Sequence, residues 1–147
     1  MIIIGSDHGG FKLKEEIKRY LEEKDIKYLD MGTQNEERAE YPEIASLVCE
    51  EVKKNKENNG ILICKSGIGM SIAANKYKGI RCGLCTIEDD AKFAKAHNNC
   101  NVISMGADRV SNHTAICLVR MFLASSFEGG RHADRVDMIA NIENLNK

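Results

Sequence analysis

The apolar positions of this chain fall into two alternating rhythms. Short, nearly unbroken apolar runs occupy residues 2–4, 26–29, 61–64, 80–85 and 102–105. Continuous runs of this length suit parallel strands covered on both faces. Between them the apolar residues recur every three or four positions. Leu13, Ile17, Tyr20 and Leu21 mark a helix over 11–24, and Ile44, Val48 and Val52 mark a second that starts near Pro42. A third helix begins at about Gly69 and runs through Lys76. Thr86, with Asp89 three residues on, resembles a capping box and opens a fourth. A fifth spans about 112–125, and a last follows Gly129-Gly130 with Val136, Ile139 and Ile142 as its apolar stripe. Strand–helix alternation repeated five times predicts an α/β fold, a parallel sheet between two helical layers, in one domain over 1–147.

Composition narrows the class without changing that picture. At 147 residues, with 43% hydrophobic and 29% charged positions, the chain reads as globular. A formal net charge of −1 gives no electrostatic footprint for nucleic acid. No apolar run approaches a membrane span, and no basic stretch precedes the apolar N-terminus, so the expected compartment is the cytoplasm. Six cysteines without framework spacing read as reduced thiols acting as small core residues. Cys82 and Cys85 form a C-x-x-C, but residues three apart on a strand point to opposite faces, so no metal or redox site is expected there.

Ligands of open α/β sheets bind beyond the carboxyl ends of the strands. Polar groups cluster in the loops flanking the strands: Asp7 and His8 after the first, Lys65, Ser66, Gly67, Ile68 and Gly69 after the third, and Asp108 and Arg109 after the fifth. His97 and Asn98, just before the fifth strand, are expected to join them. Cys64 is the sharpest candidate. It ends an apolar strand and leads through a glycine-rich turn into a helix N-terminus. Free amides and the helix dipole there favour a thiolate, and an inward-turned backbone can hold an oxyanion. Such a thiolate is a base or a nucleophile with its stabiliser attached. A plain buried core thiol is the bland alternative. Arg131 and Arg135, four apart at a helix start, form a clamp for phosphate; a solvated basic face is the simpler reading. A P-loop is excluded because no Gly-Lys-Ser/Thr occurs, a dinucleotide fingerprint by its glycine spacing, and a cysteine-phosphatase loop by Met70 where arginine is needed.

Taken together, these residues resemble the type B ribose-5-phosphate isomerases over nearly the whole chain. The matching segments are Gly5-Ser6-Asp7-His8-Gly9-Gly10, Tyr41-Pro42, Cys64 through Lys76, Gly79-Ile80-Arg81, His97-Asn98 with Asn101, and Glu128-Gly129-Gly130-Arg131-His132 with Arg135. The resemblance implies a five-stranded sheet of order 2-1-3-4-5. It implies interconversion of ribose 5-phosphate and ribulose 5-phosphate without metal or cofactor. It further implies homodimers with shared sites, which can pair into tetramers. Carried over by position, Cys64 is the base between C2 and C1. His97 helps open the sugar ring, with Ser66 and Asp7 nearby. The backbone of residues 65–69 holds the enediolate. His8, Arg131 and Arg135 bind phosphate, and Asn98 contacts substrate hydroxyls. The base requirement matches the chemistry of Cys64, since an aldose–ketose shift removes a proton beside a carbonyl.

Two positions depart from the family pattern. Lys65 stands where glycine is usual, and would be strained if that backbone needs φ > 0. Asp108 stands where an arginine is usual, with Arg109 one residue on as its substitute. Isomerisation of allose 6-phosphate or galactose 6-phosphate is the nearest rival reading. A thiol phosphocarrier and a non-catalytic sugar-phosphate sensor are rivals of other classes.

Overall fold

The computed structural model describes residues 1–146; Lys147, the last residue of the expected domain, lies outside them. Five parallel strands, β1 (Ile2–Ser6), β2 (Tyr28–Asp30), β3 (Asn59–Cys64), β4 (Cys82–Leu84) and β5 (Val102–Gly106), form one sheet. The helices are α1 (Phe11–Glu23), α2 (Tyr41–Val52), α3 (Ile68–Ala74), α4 (Glu88–Ala96), α5 (Asn112–Ala124) and α6 (Arg131–Leu145), and a 3-10 turn at His8–Gly10 precedes α1.

Alternate residues of each strand feed two separate cores. Ile2, Ile4, Ile61, Ile63, Ile103 and Met105 meet α1, α4 and α5 on one face. Ile3, Leu62 and Val102 meet α2 and α3 on the other. Cys82 belongs to the second core and Cys85 to the first, as the strand period requires. All six cysteines are unpaired buried thiols. Burial pushes Cys49 and Cys82 up to about 12 and Cys100 up to about 11, which leaves them protonated and inert at neutral pH.

The sheet order is β2-β1-β3-β5-β4, so the last two strands are exchanged relative to the expected 2-1-3-4-5. Handedness explains the exchange. Crossovers between parallel strands are right-handed, so connections over one face step one way along the sheet and connections over the other face step back. α1 carries the chain from β1 to β2 over the first face. α4 packs on that same face through Ala91 and Ala94, so the step from β4 to β5 must run in the same direction. β5, buried along its whole length, then lies inside, and the three-residue β4 takes the edge.

Local signals account for three of the six helix starts. Pro42 stands in the first turn of α2, and Ser111 Oγ accepts from the Thr114 amide at the start of α5. At α4 the reaching carboxylate is Asp90 rather than Asp89: it accepts from the amides of Thr86 and Ile87 at 2.9 and 3.2 Å. α6 departs most from expectation. Its only buried residue is His132, while Met138, Ile139, Ile142 and Leu145 face away from both cores. Among the described residues no helix is long and apolar enough to cross a membrane.

Candidate active site

Asp7 and Cys64 end up side by side because β1 and β3 are neighbours, and their loops leave the sheet in opposite directions. This is the crevice where open α/β sheets bind ligands. The Asp7 amide donates to Ile63 O at 3.3 Å, and Asp7 Oδ1 accepts from the Gly10 amide at 3.2 Å. Asp7 is thus buried and fixed as the cap of the 3-10 turn. His8 projects outward, its Nδ1 3.2 Å from both the amide nitrogen and the carbonyl oxygen of Ala39.

Cys64 Sγ accepts from the Gly67 amide at 3.2 Å, and Ser66 Oγ accepts from the Ile68 amide at the same distance. The first bond within α3 runs from Ser71 N to Gly67 O, so the amides of residues 68–70 precede it without intrahelical acceptors. The loop therefore presents a sulfur already touched by one N–H, beside further donors suited to an oxyanion. Positive φ falls at Gly67 (+80°), and Lys65 has none, so lysine there is unstrained. The loop after β5 is stitched to this one: the amides of Ala107 and Asp108 donate to Cys64 O and Lys65 O at 2.8 and 2.9 Å. A side chain at Gly106 would collide with the Ser66 backbone at about 2.5 Å. Lys65 Nζ and Asp108 Oδ2 face one another at 3.9 Å on the surface, so the two departures from the family pattern are spatial neighbours. Arg109 is exposed in the same loop.

His97 and Asn98 are not here. They follow α4, which runs back from the carboxyl end of β4, and they precede β5. Asn101 O accepts from Gly60 N at the start of β3, whereas Cys64 stands opposite Gly106 at the far end. Five strand residues, roughly 16 Å at 3.3 Å each, separate these levels. The expected gathering of His97 and Asn98 with Cys64 within one chain is therefore corrected: a residue that precedes a strand sits at its amino end. Arg131 and Arg135 begin α6 beside His97, since the Glu128 amide donates to Ala96 O at 3.0 Å.

This second cluster has a geometry of its own. The His97 ring stacks on Phe93 at 4.5 Å and on His132 at 4.2 Å, the two imidazoles within 9° of parallel. Glu128 Oε1 lies 3.7 Å from His97 Nε2 and 3.6 Å from His132 Nε2. Sequence reasoning named Glu128 only as part of a matching segment and gave it no role, because the two glycines between it and His132 hide their spatial pairing. The three groups are close enough to suggest a metal site, all within 4.8 Å. Near-parallel stacked rings, however, hold their lone pairs in separate planes that do not converge on one ion. Beside this cluster, a cleft of about 590 Å³ is lined by Arg81, Asn98, Ile139 and Ile142.

Comparison with known proteins agrees with the fold. Residues 2–139 match the family described as Ribose/Galactose Isomerase. Ribose-5-phosphate isomerase B of Escherichia coli (strain K12) is 42% identical over 142 residues, 97% of this chain and 95% of that one. The structure of Clostridium thermocellum ribose-5-phosphate isomerase B superposes with a TM-score of 0.97 at 41% identity, covering 99% of both chains. That of the Mycoplasma genitalium enzyme with bound ribulose-5-phosphate gives 0.93 at 40% identity, covering 97% of this chain and 95% of that one.

Proposed function

The chain belongs to the ribose/galactose isomerase family, and on that premise we propose that it interconverts D-ribose 5-phosphate and D-ribulose 5-phosphate with Cys64 as the base. The observation that carries the reading is the Cys64 loop: a sulfur held by the Gly67 amide next to first-turn amides of α3.

The chemistry follows from that loop. In the open-chain aldose the thiolate takes the proton from C2. The C1–C2 double bond forms as the carbonyl electrons move onto O1, where the loop amides stabilise the charge. O1 is then protonated, O2 loses its proton, and the thiol returns a proton to C1, giving the ketose. No electrons leave the substrate. Before this the furanose must open. His97 takes the O1 proton, the C1–O4 bond breaks, and O4 is protonated.

Because Cys64 and His97 lie at opposite ends of one sheet, this reading requires a second copy of the chain to supply His97, Asn98, Arg131 and Arg135 to each Cys64 loop. The uncovered apolar stripe of α6, which carries Arg131 and Arg135 at its start, supports such pairing. Asp7 and Ser66 then flank the base, while His8 and the arginines take the phosphate. The loop amides from Lys65 to Gly69 hold the enediolate.

The test is turnover of ribose 5-phosphate, allose 6-phosphate and galactose 6-phosphate, followed by NMR, for wild type and Cys64→Ala. Ribulose 5-phosphate should form with kcat/KM well above either hexose phosphate, and Cys64→Ala should lose at least ~100-fold, the least a positioned acid–base group contributes. Near-native activity in Cys64→Ala would remove the thiol from the mechanism. Preference for a hexose phosphate would keep the chemistry and change the substrate.

A further inference from the structure

His97 is held on three sides. Two rings cannot share one face of an imidazole at 4.5 and 4.2 Å, so His97 lies between Phe93 and His132. Its Nε2 edge faces Glu128 Oε1. Glu128 is anchored in turn by its own amide on Ala96 O, one residue before His97. His132, the outer plate of the stack, is the single buried residue of α6. A residue that merely capped α4 would need none of this structure around it.

We propose that Glu128 and His132 are positioning residues for His97, fixing its ring orientation and the nitrogen that carries its proton for the ring-opening step. The inference rests on the role of His97 given above. A carboxylate facing both Nε2 atoms favours a proton on each of them, which leaves Nδ1 of His97 as the acceptor for the sugar hydroxyl. Stacking also couples the two rings, because a second positive charge 4.2 Å away is disfavoured. The groups facing the stack are Glu128 in the preceding loop, Arg131 and Arg135 on α6, and Lys92 of α4 over the Phe93 ring at 5.6 Å. Burial, then His97 and Arg131, hold His132 below the usual imidazole range despite Glu128. His132 is thus the neutral plate against which the His97 ring is held.

The test combines histidine NMR with a partial reaction. Ribulose 5-phosphate is open-chain, so exchange of its C1 hydrogen with D₂O needs Cys64 but no ring opening. In ¹⁵N-histidine-labelled protein, His97 should be the Nε2–H tautomer. Glu128→Gln should mix the tautomers and reduce kcat on ribose 5-phosphate roughly tenfold, part of the ~100-fold or more of a positioned acid–base group. C1 exchange should persist in that variant. His132→Phe, which keeps a stacking ring, should recover more turnover than His132→Ala. Unchanged His97 tautomer and kcat in Glu128→Gln and His132→Ala would overturn the proposal. Loss of C1 exchange in His97→Ala would instead overturn the ring-opening role on which it rests.

Discussion

Lys65 and Asp108 each look misplaced when taken alone: a bulky cation in a glycine loop, and an anion beside a phosphate site. In the fold they face one another at 3.9 Å, and each answers the other. On the function proposed above, Lys65 would offset the charge that Asp108 presents to phosphate. Both side chains are exposed, so the pair contributes less than ~1 kcal/mol to folding. Lys65→Ala should therefore leave the urea midpoint nearly unchanged. It should raise KM for ribose 5-phosphate about fivefold, the equivalent of ~1 kcal/mol for one exposed charge contact, with little change in kcat. Steady-state kinetics beside a denaturation curve would separate the two effects; a shifted midpoint with unchanged KM would make the pair structural. The sequence alone could flag both residues but not their contact. It also could not say which loop residue carries positive φ. That is Gly67, where a side chain would meet Leu84 and the Met105 backbone at 2.7 Å.

At the scale of elements, β2 is anchored to α1 through charge as much as through apolar contact. Lys14 is fully buried on the apolar side of α1, and its Nζ donates to Asp30 Oδ2 at 2.6 Å and to Thr33 O at 2.7 Å. Lys18 donates to the same Asp30 oxygen at 2.8 Å. Burial alone would raise the Asp30 carboxyl, but the two ammoniums and the Gly32 amide outweigh it and hold it below its ordinary 3.8. A depressed carboxylate stabilises the fold above its unfolded value, and that contribution disappears as pH falls through the folded value. Asp30→Asn should thus cost about 3 kcal/mol near neutral pH, as for other buried pairs broken on one side. The gap between variant and wild type should close as pH drops below 3.8. Chemical denaturation over a pH series would show it; a constant gap would locate the effect in packing. Lys14 sits on the helical stripe that periodicity reserves for apolar residues, so this anchor was not readable from pattern. β1, β3 and β5 were, because continuous apolar runs have few alternatives. The exchange of β4 and β5 was not, because the buried face of α4 is made of alanines, which leave only a weak periodic signal for the face the helix covers.

For the whole molecule, the decisive feature is that the residues assigned to one reaction occupy two ends of one sheet. Motifs reveal which residues belong together chemically; they do not reveal whether one chain can bring them together. The strand directions do, since Cys64 closes β3 while His97 precedes β5. If each site takes Cys64 from one protomer and His97 from its partner, two dead variants can repair each other. Cys64→Ala and His97→Ala should each be nearly inactive as homodimers. In a heterodimer, one site combines both lesions and the other combines both native residues. Random exchange makes half the dimers heterodimers with one intact site each, so activity should recover to about a quarter of wild type. The measurement is turnover of ribose 5-phosphate after co-refolding the two variants in equal amounts, with Cys64→Ala/His97→Ala double-variant chains as the control. Recovery near that level would demonstrate sites shared between protomers. No recovery, with heterodimers confirmed by mass, would mean that His97 acts on no Cys64 at all, and the ring would have to open by another group.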